Sequence, residues 1–403
     1  MKFAIITYIL HKEHNKSYYS YEPYIREMNI WLKYVKKVEI VAPAPRPKFR
    51  GPKGESISGE AYEHSNLIFT TIPSFDLLRI TSAFTTLFKI PWIFFRILGS
   101  MQRADHIHLR CPGNIGLIAC FIQILFPHKP KTVKYAGNWD SNSKQPRSYR
   151  LQKWILGNTF LSRNIKVLVY GDWPEQSKNI VPFFTASFSQ TEKGLCNKDF
   201  TSPFKFIFVG SLSAGKRPLL AIKLIEALMG KSIPVKLEIY GSGVLKNELQ
   251  EYVATKNLDP FVRLMGNCKL EELKEVYKAS HFLILASQSE GWPKAVAEAM
   301  FFGCIPVATA VSCVPWMLGD GSRGILLPVV DRGEWRVESG NKGKRKEESV
   351  PKSREWIDES VDKIIELIED PGEMKRKSMA AQEWSQEYTL ERFEDAVKEV
   401  LKV

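Results

Sequence analysis

No cysteine spacing in this chain marks a disulfide framework. Its six cysteines (Cys111, Cys120, Cys196, Cys268, Cys304 and Cys313) form no Cys-x-x-Cys pair, and a chain of 403 residues has no need of covalent staples. They suit a reducing cytosol. Long hydrophobic runs are also missing. The two nearest to a membrane span, Ile115 to Phe126 and Thr86 to Leu98, fall short of the roughly 18–20 residues that cross a bilayer, and Lys89, Pro91 and Arg96 interrupt the second. Met1-Lys2-Phe3-Ala4-Ile5-Ile6 is too short and too soon interrupted for a secretion signal. A cytoplasmic chain is expected, with any membrane contact peripheral.

Acidic residues are scarce in one half only. Residues 1–200 hold 28 Lys and Arg against 14 Asp and Glu, residues 201–403 hold 29 against 30, and the whole chain carries a formal charge of +13. A first half so charged favours anionic partners such as membrane headgroups, lipid-linked phosphates or acidic glycans. A solvated basic face explains the same surplus. The half shows no recognisable nucleic-acid-binding motif, so nucleic acid is not an expected partner.

What is present is the composition of an ordinary globular chain, 44% apolar and 25% charged. The length exceeds what one core supports, so two domains of about 200 residues each are expected. One stretch organises the second. His281-Phe282-Leu283-Ile284-Leu285-Ala286 reads as a buried parallel strand, and Cys304-Ile305-Pro306-Val307-Ala308-Thr309 as the next. Between them Pro293 suits a first helical position and Gly303 a helix stop, giving a helix of about three turns in a βαβ unit.

The start of that helix carries unpaired N–H groups just outside a strand's carboxyl end, where an anion, above all a phosphate, is favoured. Glu290 precedes this amide cluster, and Glu298 lies about 7–8 Å along the helix from Pro293. Ionised carboxylates accept two or more hydrogen bonds each, so the pair suits sugar hydroxyls flanking a diphosphate. A loop Glu and a solvated helical Glu would show the same spacing.

Glu290-Gly291-Trp292-Pro293-x4-Glu298-Ala299-Met300-x2-Gly303-x-x-Pro306-Val307 resembles the Glu-x7-Glu signature of retaining nucleotide-sugar glycosyltransferases of the GT-B fold. The resemblance implies an α/β chain with two Rossmann-like domains facing each other across a cleft. The boundaries expected are 1–190 for an acceptor-binding domain, 203–375 for a nucleotide-sugar-binding domain, and a helix over 376–403 returning to the first, with Gln190 to Ser202 as linker. It also implies a retaining transfer of a sugar from a nucleoside diphosphate to a glycan or lipid-linked acceptor, in surface polysaccharide or glycoconjugate assembly.

The family's Gly-Arg-x4-Lys-Gly loop, which grips the donor diphosphate, is similar to Gly210-Ser211-x4-Lys216. Lys216 matches, Ser211 stands where the Arg is expected, and Arg217 would supply the missing charge. The Gly241-Ser242-Gly243 turn matches the nucleoside-side loop, and Gly266 the strand end that holds the base. Gly291, Trp292, Lys294 and Ala295 would meet the donor at the helix start, Glu290 its sugar hydroxyls and Glu298 its ribose. Thr309 to Trp316 replaces a Gly-Gly-x-x-Glu loop without its glycines or its Glu. No Asp-x-Asp pair is present, so no metal and no cofactor is expected beyond the nucleotide-sugar co-substrate.

In the first half, Asp105-x-x-His108-x-Arg110 looks like the family's Asp-x-x-His-x-His strand end, beside the reacting sugar. Arg110 stands in the second His position. It keeps its proton, so it would bind an anionic group and not act as a base. His108 reads equally as a hydrogen-bonded core residue. Asn138 and Asp140 are candidate acceptor contacts. His11 to Tyr21 takes the place of a Gly-Gly loop with no glycine, and His11 and His14 read as loop residues. The aromatic, cationic stretch Phe84 to Leu98 suits either a membrane interface or a core-packing helix pair kinked at Pro91. Ala44 to Glu63 and Glu334 to Ser353 read as loops or insertions, and two amphipathic helices close the chain. A nucleotide-sugar epimerase or phosphorylase of the same architecture, or a non-catalytic binding partner in an envelope-assembly complex, fits the same sequence.

Overall fold

The apolar runs become the strands of two all-parallel sheets in a computed structural model, which describes residues 1–402 apart from 16, 45–58, 74–79, 175 and 330–349. Most of the Ala44–Glu63 and Glu334–Ser353 segments therefore lies outside the described residues. The chain divides into two units, residues 1–185 with 391–403, and residues 186–390. Gln190 to Ser202 thus falls inside the second.

In the first unit the chain runs β1 (Lys2–Ile6), β2 (Lys12–His14), β3 (Ser17–Ser20), α1 (Glu22–Leu32), β4 (Lys37–Pro43), β5 (Glu60–Ala61) and β6 (Leu67–Ile72). It continues through α2 (Ile80–Arg103), β7 (His106–Cys111), α3 (Asn114–Ile122), β8 (Lys131–Tyr135), α4 (Arg147–Gly157), β9 (Ile165–Tyr170) and β10 (Ile180–Phe183). Seven of these strands form one sheet in the order β10-β9-β8-β7-β1-β4-β6. Phe3, Ala4, Ile5 and Ile6 are all buried because helices cover both faces of such a sheet. Along β7 the side chains alternate with the period of two that a strand imposes. Ile107, Leu109 and Cys111 join the core with α2 and α3. His108 instead meets Trp31 of α1 at 4.8 Å between ring centres, and Arg110 lies over the Tyr24 ring at 4.7 Å.

Two expectations need correction here. The His11–Tyr21 segment is not an open loop. It makes the β2–β3 hairpin, to which β5 adds a third antiparallel strand, and His11 is buried, stacked on Tyr62. Nor is there a helix pair around Pro91. One helix, α2, runs through it. Ile93, Ile97 and Met101, at four-residue spacing, turn one stripe of that helix into the core.

The second unit contains β11 (Phe204–Val209), α5 (Pro218–Gly230), β12 (Val235–Tyr240), α6 (Lys246–Thr255), β13 (Val262–Gly266), α7 (Leu270–Ala279) and β14 (Phe282–Leu285). Then follow α8 (Lys294–Phe301), β15 (Ile305–Thr309), α9 (Val314–Met317), β16 (Ile325–Leu327), α10 (Val350–Ile368) and α11 (Pro371–Gln386). Its sheet order is β13-β12-β11-β14-β15-β16. This is the doubly wound order of a Rossmann fold, in which the winding reverses between β11 and β14. A final helix, α12 (Leu390–Leu401), carries Phe393 and Val397 into the first unit, where Phe393 meets Phe183 and Phe184. Three helices rather than two close the chain, since α11 precedes it.

Four buried histidines, His11, His106, His108 and His281, are held neutral chiefly by desolvation. Burial pushes His11, His106 and His281 down to about 4, most strongly by desolvation. Their ordinary value is about 6.5. As the pH drops from about 6.5 towards 4, the unfolded chain takes up protons that the folded one refuses, and stability falls across that window. Each should contribute on the order of 1–2 kcal/mol of loss by pH 5. Urea midpoints measured at pH 7.5 and pH 5 should show a clear drop. Equal midpoints would mean that these rings are protonated in the folded protein.

Candidate active site at the β11–β14 switch point

Where the winding reverses, the helices that follow two neighbouring strands leave from the same sheet edge, and the crevice outside the strand ends stays uncovered by them. The helix after β11 is α5, and the helix after β14 is α8. Neither has a side chain capping its N-terminus. The amides of both first turns therefore keep their partial positive charge for whatever enters the crevice. The α8 helix is shorter than its spacing suggests, eight residues from Lys294, with Pro293 as the preceding cap. Its stop is a Schellman motif: Gly303, at φ +74°, donates to the Met300 carbonyl, and Cys304 to Ala299.

The loops at this edge approach one another closely. Gly241, at φ +138°, has no room for a side chain, because a Cβ there would stand 1.9 Å from the Gly210 carbonyl oxygen. A Cβ on Gly243 would stand 2.4 Å from that of Leu212. Gly241 N–H donates to the Gly266 carbonyl at 2.7 Å, so the three glycines expected on the nucleoside side do lie together at the ends of β11, β12 and β13.

Across the switch point the loop after β11 is joined to the loop after β14. Gln288 N–H donates to the Gly215 carbonyl at 2.9 Å. Lys216 Nζ donates to Glu290 Oε1 at 2.5 Å. Glu290 is buried and Lys216 half-buried, so the cation compensates a carboxylate that has lost most of its water. Arg217 caps α5 in the left-handed conformation, at φ 52°, and is itself buried. With the Gln288 side-chain amide turned so that its oxygen faces this guanidinium, the orientation its surroundings satisfy, that oxygen accepts from Arg217 Nε at 3.2 Å and Nη2 at 3.1 Å. Lys216, Arg217 and Glu290 are thus brought together. Glu298 sits apart from them on α8, one oxygen accepting from Ser187 Oγ at 2.6 Å and the other from Tyr277 Oη at 3.0 Å. Burial and the Glu298 charge hold the Tyr277 phenol well above its usual range.

The Glu290 loop is held from behind. Ser312 Oγ and Cys313 Sγ both donate to the Gly291 carbonyl, at 3.3 and 3.2 Å, so the segment that lacks the expected glycines serves as a clamp on the loop's backbone. Burial pushes the Cys313 thiol up to about 12, which suits a donor. Trp292 is buried among Trp316, Trp384 and Tyr388, and Arg323 lies over the Trp384 ring at 4.9 Å.

In the first unit the structure places the expected residues differently. His108 is the third residue of β7, inside the sheet, and is not at its end. Its Nδ1 bonds Thr132 Oγ1 at 2.8 Å. Burial, reinforced by His106, Arg110 and Lys134, holds it well below the usual imidazole range. Arg110 is nearer the strand end, and its Nε and Nη1 are buried without an acceptor among the described residues. Asn138 and Asp140 fold their own turn: Asn138 Oδ1 accepts from Asp140 N–H, and Asp140 Oδ1 from Asn142 N–H, both at 2.8 Å.

Gln288, Ser187 and Tyr277 were not legible as site residues. Ser187 and Tyr277 stand 111 and 21 positions from Glu298, and no local pattern marks either. Gln288 has no motif of its own. The ion pair itself is testable apart from any activity. Lys216→Met should destabilise the protein by about 1–3 kcal/mol, because Glu290 is left buried without its cation. Adding Glu290→Gln should recover part of that loss in urea denaturation. Simple addition of the two losses would show that the groups are not coupled.

Residues 197–336 match the family described as "Glycosyl transferases group 1". The chain is 26% identical over 258 residues to a D-inositol 3-phosphate glycosyltransferase of Corynebacterium kroppenstedtii, covering 57% of each protein. It is 33% identical over 135 residues to the N-acetylgalactosamine-N,N'-diacetylbacillosaminyl-diphospho-undecaprenol 4-alpha-N-acetylgalactosaminyltransferase of Campylobacter jejuni, covering 33% of this chain and 35% of that one. The chain thus spans about half the length, or less, of these curated relatives. Among solved structures it is similar in fold to Anabaena Alr3699/HepE in complex with UDP-glucose, with a TM-score of 0.63, 12% identity, and 100% and 99% of the two chains covered. Sucrose-phosphate synthase from Thermosynechococcus elongatus gives a TM-score of 0.63 at 14% identity, covering 100% and 98%. The segment that carries Lys216, Arg217, Glu290 and Glu298 therefore matches the group 1 glycosyltransferase family, within a chain that has the GT-B fold.

Proposed function

We propose that this protein transfers a sugar, with retention of configuration, from a nucleoside diphosphate to a glycan or a lipid-linked acceptor in surface polysaccharide or glycoconjugate assembly. The observation that carries the reading is the Lys216–Glu290 pair beside Arg217, at a sheet edge where two uncapped helices begin. Departure of a nucleoside diphosphate leaves negative charge on its phosphates. Lys216, Arg217 and the helix amides near Lys294 supply fixed positive charge and donors for it, which lowers the barrier without a divalent ion. Glu290 holds sugar hydroxyls. Glu298 has two acceptor positions beyond those taken by Ser187 and Tyr277, enough for a ribose diol. Gly266, where a Cβ would meet nothing within 4 Å, leaves room for the nucleoside close to the backbone, and Gly241 and Gly243 let the loops beside it pack tightly.

The first unit supplies the acceptor side in this reading. Arg110, with two unpaired donors, meets an anionic group there. His108, buried and neutral within the sheet, positions β7 and takes no proton. The bound ligands of Alr3699/HepE, UDP and UDP-glucose, make uridine nucleotides the first donors to try. The Campylobacter jejuni relative, whose name carries a diphospho-undecaprenol acceptor, favours a lipid-linked one. Such an acceptor would bring the protein to the cytoplasmic face of a membrane.

Calorimetric titration with uridine diphosphate tests the site directly. Lys216→Ala should weaken binding by about tenfold or more, the cost of a charge-assisted contact. Unchanged affinity would remove the second unit's loop from the donor site. With a matched donor and acceptor, turnover should survive an excess of chelator, and Glu298→Ala should raise the donor KM with a smaller effect on kcat. A donor KM left unchanged would take Glu298 out of the ribose subsite.

A further inference from the structure

The basic surplus of the first half does not all lie on its surface. Part of it is turned inward. Lys131 Nζ donates to the Phe126 carbonyl at 2.8 Å, and Lys134 Nζ to that of Phe184 at 2.9 Å, and both side chains are buried. Lys89, Arg96, Arg147 and Arg150 lie on α2 and α4, two helices of one layer. The α3 helix packs against both α2 and α4, and α2 and α3 pack on the sheet through β1, β4 and β7. The α2 and α3 helices turn a buried stripe to the sheet, α4 turns one to α3, and an opposite stripe of each faces solvent.

Those outward stripes are not polar. Trp92 and Phe95 on α2 are 45% and 68% exposed, Phe121 and Leu125 beside α3 are 49% and 61%, and Trp154 on α4 and Phe160 just beyond it are 61% and 71%. Single exposed apolar residues are ordinary, but six large ones across three adjoining helices are not. Cations stand among them. Arg96 lies over the Trp92 ring at 5.0 Å, and Arg163 over Phe160 at 4.8 Å. Lys144, Arg147 and Arg150 are exposed at the approach to α4 and in its first turn. From residue 89 to 163 the chain has Asp105 and Asp140 as its only acids.

We propose that the exposed side of α2, α3 and α4 is a docking surface for an anionic lipid bilayer. The aromatic rings enter the headgroup region, and the guanidinium groups stay at the level of the lipid phosphates. Charge complementarity selects this occupant. A second copy would set two basic, nearly acid-free faces against each other, which long-range repulsion opposes. Amphipathic stripes of Trp, Phe and Leu flanked by Arg are what an interface binder presents, and anionic lipid adds to the attraction for each basic residue near the surface. Among the described residues no helix is long and apolar enough to cross a membrane, so attachment of this kind is lateral.

The inference goes beyond the transferase reading and does not rest on it, because vesicle binding is scored without donor or turnover. The full-length protein should sediment with phosphatidylcholine vesicles containing phosphatidylglycerol, should not do so with phosphatidylcholine alone, and should release as salt rises. Trp92→Ser/Phe95→Ser/Trp154→Ser should bind about tenfold more weakly, with its circular dichroism and melting temperature unchanged. Arg96→Glu/Arg163→Glu, which leaves the rings in place, should show a loss of similar size. The proposal fails if the wild type ignores phosphatidylglycerol, or if both variants bind as it does. It fails too if light scattering shows a stable dimer that the serine substitutions dissociate.

Discussion

A buried carboxylate can stay ionised only where something compensates it, and Glu290 is compensated by a lysine from a different strand's loop. That pairing is available because the second sheet winds outward in both directions from β11 and β14. Right-handed crossovers then send α5 and α8 to opposite faces of the sheet. The crevice between their starts collects the first turns of two helices without side-chain caps and the cations of the β11 loop. The rest of the unit is arranged to keep that edge rigid. Glycines at 241 and 243 let neighbouring loops touch backbone to backbone, and Gly303 ends α8 early enough for β15 to begin beside β14.

Rigidity of the Glu290 loop also comes from a direction its motif does not show. The family's glycines are missing after β15, and in their place Ser312 and Cys313 grip the Gly291 carbonyl. Next to them Trp292 is packed into a group of three more aromatic rings drawn from α9, α11 and the turn after α11. Large rings bury much apolar area at little rotameric cost. The loop is therefore held by side-chain hydrogen bonds and aromatic packing, and α11 acts as a buttress for the site.

The two units use their charge in different ways. In the second, opposite charges nearly balance, and the important cations are those fixed beside the strand ends. In the first, some lysines and arginines take an interior role, closing carbonyls and lying on aromatic rings, while others are exposed, among them those on α2 and α4. Net charge alone does not distinguish these. An ammonium group inside a sheet, satisfied by carbonyls and ring faces, makes no field at the surface comparable to that of an exposed arginine.

Most of the strands of the two sheets, the two-unit architecture and the Glu290–Glu298 motif were legible in the sequence, because continuous apolar runs between glycines and prolines leave a parallel sheet few alternatives. So was Lys216, whose distance from the end of β11 is set by the loop it sits in. The hairpin at residues 12–20 was not legible, since a polar, tyrosine-rich segment becomes strand only when β5 pairs with it. The same holds for His108 and Arg110. Both point to one face of β7, and only the packing of α1 decides that the ring is enclosed while two guanidinium donors are left unpaired. Partners far apart in the chain, such as Ser187 and Tyr277 on Glu298, exist only once the sheet has closed. Local spacing specifies which element a residue belongs to, whereas burial, pairing and protonation depend on neighbours that the fold alone brings near.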